Sequence, residues 1–422
     1  MNRLRVRILS MAITIATSSL AFAKSEMNSM CYLEDKKGAV IEGTNAQSMY
    51  EIASVSKIVT SYWALRVLGP NFRFLTQIYV DPVDNDTSDV HIAGGWDPYF
   101  GREMTHFLFS ELQRHGVFKI RNLTFDENFL LFWSVREKPT WSIDPTRRDI
   151  ELVLKQKLRF SSAEYTATRL QAKKLGLALE PKLKTRISSI KFKSVNEYTP
   201  MISTRNLELR SAPLVAYLKE MNRNSNNHVA DHLFNFLGGT NEFQNFIKTK
   251  LNLESDDIRL INGSGDRILV TDEKNKMQKA YNEASCEALV TIISAIRFEL
   301  RINGYDIQNI MAVSGLDAGT TLGGRYASSQ VSGAVVAKTG SVDPAITLAG
   351  MITTEQGNVY FGILYKTRNP SDWNTARNKI RDNVIGLMNK FGGKNEIDDY
   401  SATPFLPFDE KSGLVSIETK KP

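Results

Sequence analysis

Three short motifs, far apart and in a fixed order, constrain this chain more than anything else in it: Ser54-Val55-Ser56-Lys57, Ser225-Asn226-Asn227 and Lys338-Thr339-Gly340-Ser341. Bringing together segments about 170 and about 110 residues apart requires a fold whose core is closed by distant parts of the chain. The residue types also specify a chemistry. A serine hydroxyl is a weak nucleophile at neutral pH and needs an adjacent base. Lys57, three residues on and one helical turn away, serves if its amine is neutral, which a dry pocket and a second cation such as Lys338 both favour. Ser225 then bridges the two lysines and relays a proton to a leaving amine. Asn227 offers an amide to Lys57 and to a substrate amide, and Lys338 and Thr339 suit a terminal carboxylate. Backbone N–H groups of Ser54 and Ser341 are the natural oxyanion hole. The candidate catalytic residues are therefore Ser54, Lys57 and Ser225, with Asn227, Lys338, Thr339, Gly340 and Ser341 as substrate contacts.

Each motif alone is weak, because Ser188-Ser189-Ile190-Lys191 and Ser194-Val195-Asn196 have the same lettering. Context separates them. Ser54 opens an apolar run (Ile58, Val59, Tyr62, Trp63, Leu65, Val67, Leu68) that stops at Gly69-Pro70, the pattern of a buried helix. Ser188 sits in the partial alternation of a solvated strand, too close to Ser194 to form a separate wall of a pocket. Val335-Val336-Ala337 predicts a buried strand leading into Lys338.

A length of 422 residues predicts two or three domains with an ample core. Arg3, Arg5 and Arg7 precede an apolar stretch from Ile8 to Leu20, and Ala21-Phe22-Ala23 follows as a small-x-small site. This reads as a secretory signal peptide over 1–23, cut after Ala23, and predicts a periplasmic chain without an integral membrane segment. The formal charge of +7 includes those three arginines, so the mature chain carries about +4, a mild bias that needs no anionic partner. No basic stripe interleaved with aromatics points to nucleic acid, and no cofactor is expected. Cys31 and Cys286 could pair in an oxidising compartment, with two buried free thiols as the default.

Cys31-Tyr32-Leu33 and Ala39-Val40-Ile41 predict a hairpin before Ser54. Ile346 to Thr353 and Val359 to Tyr365 predict another around Glu355-Gln356-Gly357-Asn358, followed by a helix from Trp373 to Phe391. Hairpins from both ends of the chain covered by helices make an α+β core. The first gap between motifs is long enough for a domain. Its strand signals at Phe74 to Val80, Leu123 to Phe125 and Ile187 to Val195 predict an inserted β-rich domain. The expected division is a discontinuous catalytic domain over 24–75 and 205–393, an insert over 76–204, and an extended segment of undefined role over 394–422.

The chain resembles the penicillin-binding protein 4 family, the D-alanyl-D-alanine carboxypeptidases and endopeptidases of peptidase family S13. The handful of residues that carry the likeness span nearly the whole mature chain: the three motifs, Leu68-Gly69 with Phe72 to Thr76, Gly94-Gly95-Trp96-Asp97-Pro98, Asn262-Gly263-Ser264-Gly265, and Ser314 to Leu322 with Arg325. The resemblance implies a β-lactamase/transpeptidase-like domain with an insertion between the first two motifs. It implies an acyl-enzyme on Ser54, peptidoglycan stem peptides or cross-links as substrates, and β-lactams as inhibitors. Trp141-Ser142-Ile143-Asp144 resembles a stretch of the family in which an aspartate meets the free amino group of the substrate's diamino acid, which makes Asp144 a candidate contact. Asn226 stands where aspartate is usual, Asn262 and Asp266 depart from the family lettering, and the first gap is short for members with two inserted domains.

Two other readings compete. His228 and His232 are four apart and would share a helix face, as zinc ligands do, but the glutamate of a zincin motif is missing. The substitutions around Asn262 keep open a penicillin-recognising protein that has lost turnover. Nothing marks the dedicated deacylating glutamate of a β-lactamase.

Overall fold

The apolar run after Ser54 builds the centre of the molecule. In the computed structural model, which describes residues 28–35, 41–131, 151–152, 154–155, 162–271, 275–320 and 322–417, it forms a helix, Ser56–Leu68. Every residue from Ser56 to Leu65 is buried. A helix buried on every side runs inside a core, and Trp63 packs edge-on against Phe234 and Phe243, with ring centroids 5.4 and 5.5 Å away. Gly69, at φ +81°, ends it with a conformation that side chains disfavour.

Beside this helix stands a six-stranded antiparallel sheet in the order Ala312–Val313, Val335–Val342, Ala345–Thr354, Gly357–Lys366, Asn28–Glu34, Ile41–Thr44. Both expected hairpins are present, the first with its turn outside the described residues. Alternate residues face opposite ways: Ala349, Met351, Tyr360 and Leu364 join the core with helix Cys286–Arg301, while Leu348, Ile352, Phe361 and Ile363 pack with helix Trp373–Lys390. Burial on both faces explains why Ile346 to Thr353 reads as a nearly continuous apolar run. Cys31 and Cys286 are joined in a disulfide across this core, which overturns the free-thiol default. Their separation of 255 residues hides from the sequence that the first strand lies beneath the start of helix Cys286–Arg301.

The segment between the first two motifs forms most of a second sheet, ordered Val415–Ser416, Arg205–Arg210, Leu75–Pro82, Thr87–Ala93, Lys119–Phe125, Arg186–Phe192. The last two neighbouring pairs are parallel. Parallel neighbours need crossovers, and helices Arg102–Arg114 and Ser162–Lys174 supply them. Met104, Phe107, Leu108 and Leu112 bury the first of these helices against the sheet. Beyond the expected 76–204 segment the sheet also takes Leu75 before it and, after it, strand Arg205–Arg210 and two tail residues, which together form one edge.

The tail is a strap rather than a loose end. The Tyr400 hydroxyl bonds Asp317, Phe405 packs on Tyr99 and Tyr217, and Phe408 stacks on Phe107 with centroids 4.2 Å apart. Asp409 takes both arms of the Arg73 guanidinium at 2.8 and 2.6 Å, and Val415–Ser416 closes the edge of the second sheet. The signal-like segment 1–23, the stretch 141–144 with Asp144, and the terminal lysines lie outside the described residues.

Candidate active site

Ser54 sits in a single 3-10 turn, Ala53–Val55, immediately before the buried helix. Ala53 is held at φ +47°, a strained conformation for a residue with a Cβ, and it persists because its surroundings fix it. The Ser56 hydroxyl donates to the Ala53 carbonyl at 2.7 Å, and Thr347 Oγ1 donates to the Ile52 carbonyl at 3.0 Å. Two glycines permit this close packing. A Cβ on Gly265 would lie 1.8 Å from the Ala53 carbonyl oxygen, and one on Gly340 would lie 2.1 Å from Thr347 Oγ1 and 2.8 Å from the Ile52 oxygen. Strand Val335–Val342 therefore runs hard against the turn that carries Ser54.

Lys57 is fully buried, and its ammonium donates to Ser54 Oγ at 3.1 Å, Asn227 Oδ1 at 2.8 Å and the Ser264 carbonyl at 2.8 Å. Burial lowers the amine from 10.5 to about 7, against the opposing pull of Asp231 and Asp266. The Ser264 carbonyl is a partner that the sequence did not disclose. Asp231 accepts the Ser264 N–H at 2.7 Å, and Thr60 Oγ1 donates to the Gly263 carbonyl at 2.9 Å, so Asn262-Gly263-Ser264-Gly265 is a bracket around the start of the helix.

Ser225 occupies the break between helices Leu214–Asn224 and Asn227–Phe236. It is at φ +53°, a second strained non-glycine residue beside the cleft. Asn226 caps the following helix, accepting from the Val229 N–H at 3.2 Å. An aspartate or an asparagine does this equally well, which gives the departure at that position a structural reason. Lys338, also buried, donates to Ser225 Oγ at 2.9 Å and to the Thr339 carbonyl at 2.8 Å. Burial first, and the charge of Lys57 second, push its amine well below the ordinary lysine value.

These segments close around a cleft of about 630 Å³ lined by Ser54, Ser225, Thr339, Gly340 and Ser341, with Arg325 and Arg377 among its other walls. Ala312–Val313 pairs with Ala337 and Val336, so among the described residues the strand edge from Lys338 to Ser341 has no partner on that side. The structure thus brings together every candidate residue except Asp144, which lies outside the described residues. Asn262 and Asp266 are built into the bracket: Asn262 Nδ2 donates to the Asp266 carbonyl at 2.7 Å and Oδ1 accepts the Gly265 N–H at 2.8 Å.

His228 and His232 do share a helix, but His232 Nε2 donates to the Trp96 carbonyl at 2.8 Å and its ring stacks beside the Trp96 indole. Burial takes this imidazole down to about 4. Among the described residues no three His, Cys, Asp or Glu side chains are grouped as a metal site requires.

A model of the D-Ala-D-Ala carboxypeptidase 3 (S13) family matches residues 23–204 and 163–385. Among solved structures, Bd3459, a predatory peptidoglycan endopeptidase from Bdellovibrio bacteriovorus, is 36% identical with a TM-score of 0.83, covering 93% of this chain and 99% of its own. Bd0816, a predatory endopeptidase from the same organism, is 34% identical with a TM-score of 0.82 over 92% of this chain and 99% of its own. Penicillin-binding protein 4 of Haemophilus influenzae, at 16% identity and a TM-score of 0.54 over 85% of this chain and 96% of its own, shares the fold: a transpeptidase-like domain with an insertion between the first two motifs. No curated protein matches the chain. Matched by the family model over most of its length, the chain belongs to the D-Ala-D-Ala carboxypeptidase 3 (S13) family of serine peptidases.

Proposed function

We propose that the chain is a serine DD-peptidase that cleaves peptidoglycan stem peptides or their cross-links through an acyl-enzyme on Ser54. The observation that carries this reading is the buried pair of lysines, with Lys57 against Ser54 and Lys338 against Ser225. With its amine near 7, Lys57 has a neutral fraction able to take the Ser54 proton as Oγ bonds the carbonyl of the penultimate D-alanine. The carbonyl electrons move onto oxygen, facing the Ser54 and Ser341 N–H groups. As the C–N bond breaks, Ser225 gives a proton to the departing amine and is resupplied from the lysines. Water then adds to the ester and frees Ser54.

A departing D-alanine makes the enzyme a carboxypeptidase, and a departing cross-linked diamino acid makes it an endopeptidase. The likeness to Bd3459, described as a peptidoglycan endopeptidase, supports the second. Bd3459 is also described in a penicillin G-acylated form, which supports β-lactam acylation here. In this reading Asn227, Thr339, Gly340 and Ser341 hold the substrate strand and Asp144 meets the amino group of the diamino acid. The catalytic domain is 24–75 with 205–393, and the insert is 76–204. The basic-then-apolar start and the Cys31–Cys286 disulfide support a cleaved leader and a periplasmic location. No helix among the described residues is long and apolar enough to cross a membrane. Intact-protein mass spectrometry with penicillin G tests the assignment: one covalent adduct is expected on the wild type and none on Ser54→Ala. An unmodified, folded wild type would overturn it.

A further inference from the structure

Arg377 is the one cation of the cleft contributed by helix Trp373–Lys390. It lines the same cavity as Ser54 and Ser225, its guanidinium donates to Ser341 Oγ at 3.2 Å, and it lies over the Trp373 ring with its carbon 5.4 Å from the centroid. Guanidinium stacking on an indole and a hydroxyl at one corner hold the fork at the cavity wall and use only part of its set of N–H donors. Among the described residues no carboxylate pairs with it, although Arg381, one turn on, is matched by Asp382 at 2.9 Å. A half-buried guanidinium kept without a counter-ion beside a strand meant for substrate has an anion as its natural partner.

Resting on the DD-peptidase reading above, we infer that Arg377 is a specificity-determining residue that binds the carboxylate on the carbon bearing the departing nitrogen. That carboxylate is the free α-carboxylate of a departing D-alanine or of the D-centre of a cross-linked diamino acid. Thr339 and Ser341 are two apart on strand Val335–Val342, so their side chains share a face of it and both line the cavity, and a guanidinium bonded to Ser341 Oγ stands beside the hydroxyl already assigned to the terminal carboxylate. The consequence is selective: cross-links whose diamino acid has this carboxyl converted to an amide lose the charge-assisted pair and are poor substrates.

The test uses the wild type, Arg377→Gln and Arg377→Lys with two synthetic cross-linked dimers that differ only in a free or amidated carboxyl at that centre. A charge-assisted hydrogen bond is worth roughly a ten- to hundredfold change in kcat/KM. The wild type should prefer the free-carboxylate dimer by about that factor. Arg377→Gln should lose the preference by slowing the free-carboxylate dimer alone, and Arg377→Lys should keep part of it. Equal preference in the wild type, or equal slowing of both dimers in Arg377→Gln, overturns the inference. Penicillin labelling of Ser54 separates this from failure of the function itself: a labelled wild type that turns over both dimers equally refutes only the role of Arg377. Melting temperature and far-UV circular dichroism on both variants exclude a folding effect, with Arg377→Lys as the variant least disturbing to the stack.

Discussion

At the scale of single residues, the pocket depends on holding a lysine where lysine is least comfortable. An unfolded Lys57 keeps its proton to about 10.5 while the folded one gives it up near 7. Between those values the unfolded chain binds more protons, so this group's contribution to stability grows as pH rises from about 7 to about 10.5 and is least favourable below 7. Two outcomes follow from the same shift. Acylation by penicillin at limiting concentration should rise with pH through a midpoint near 7, because the base must be neutral, and Lys57→Met should abolish it. Melting curves should show the wild type gaining on Lys57→Met as pH increases from 7 to 10; parallel curves would refute the shift. Gly340 makes a different demand. Gly340→Ala places a methyl against Thr347 Oγ1 and the Ile52 carbonyl, so it should cost roughly 1–3 kcal/mol. It should also slow penicillin labelling by displacing the Ser54 turn, with denaturant unfolding and labelling rate as the two readouts.

At the scale of elements, legibility followed chain distance. The helix after Ser54, the strand before Lys338 and both hairpins are local patterns, and the sequence discloses them. The context of the motifs picks Ser54 over Ser188 and Ser225 over Ser194, and the structure places neither rival beside Lys57. Main-chain partners stay hidden. No side-chain pattern announces that the Ser264 carbonyl will meet Lys57, or that Asp231, lying between two histidines suggestive of metal, is there to hold Ser264. The first crossover helix of the insert carries a helical signal in Met104, Phe107, Leu108 and Leu112, and the parallel pair that it joins follows from it. A reading by strand signals alone misses both. The tail escaped for another reason: Tyr400, Phe405 and Phe408 are apolar anchors separated by irregular chain, a pattern without a period. Asn226 shows the converse. A departure in lettering to which the sequence attaches no catalytic role has a structural one, as a helix cap.

At the scale of the whole molecule, two long-range ties hold the parts: the strap of the tail and the Cys31–Cys286 disulfide. The disulfide closes a loop with a separation of 255 residues, for which a chain-entropy argument gives a stabilisation of about 5–6 kcal/mol. Urea unfolding with and without reductant, or of Cys286→Ser, should show a loss of that order. Penicillin labelling at low temperature should survive, since neither sulfur touches the cleft. The sheet has a further property that concerns time rather than strength. Its first strand, Asn28–Glu34, finds its long partner only in Gly357–Lys366, and the Asp35 carboxylate waits for the Tyr360 hydroxyl, 325 positions downstream. The strand bearing Lys338 is likewise made late. A nascent chain therefore holds Ser54 and Lys57 for most of its synthesis without the second lysine or the floor of the pocket, and a chain that stops before these late strands lacks both the Lys338 wall of the cleft and the partner of its own first strand.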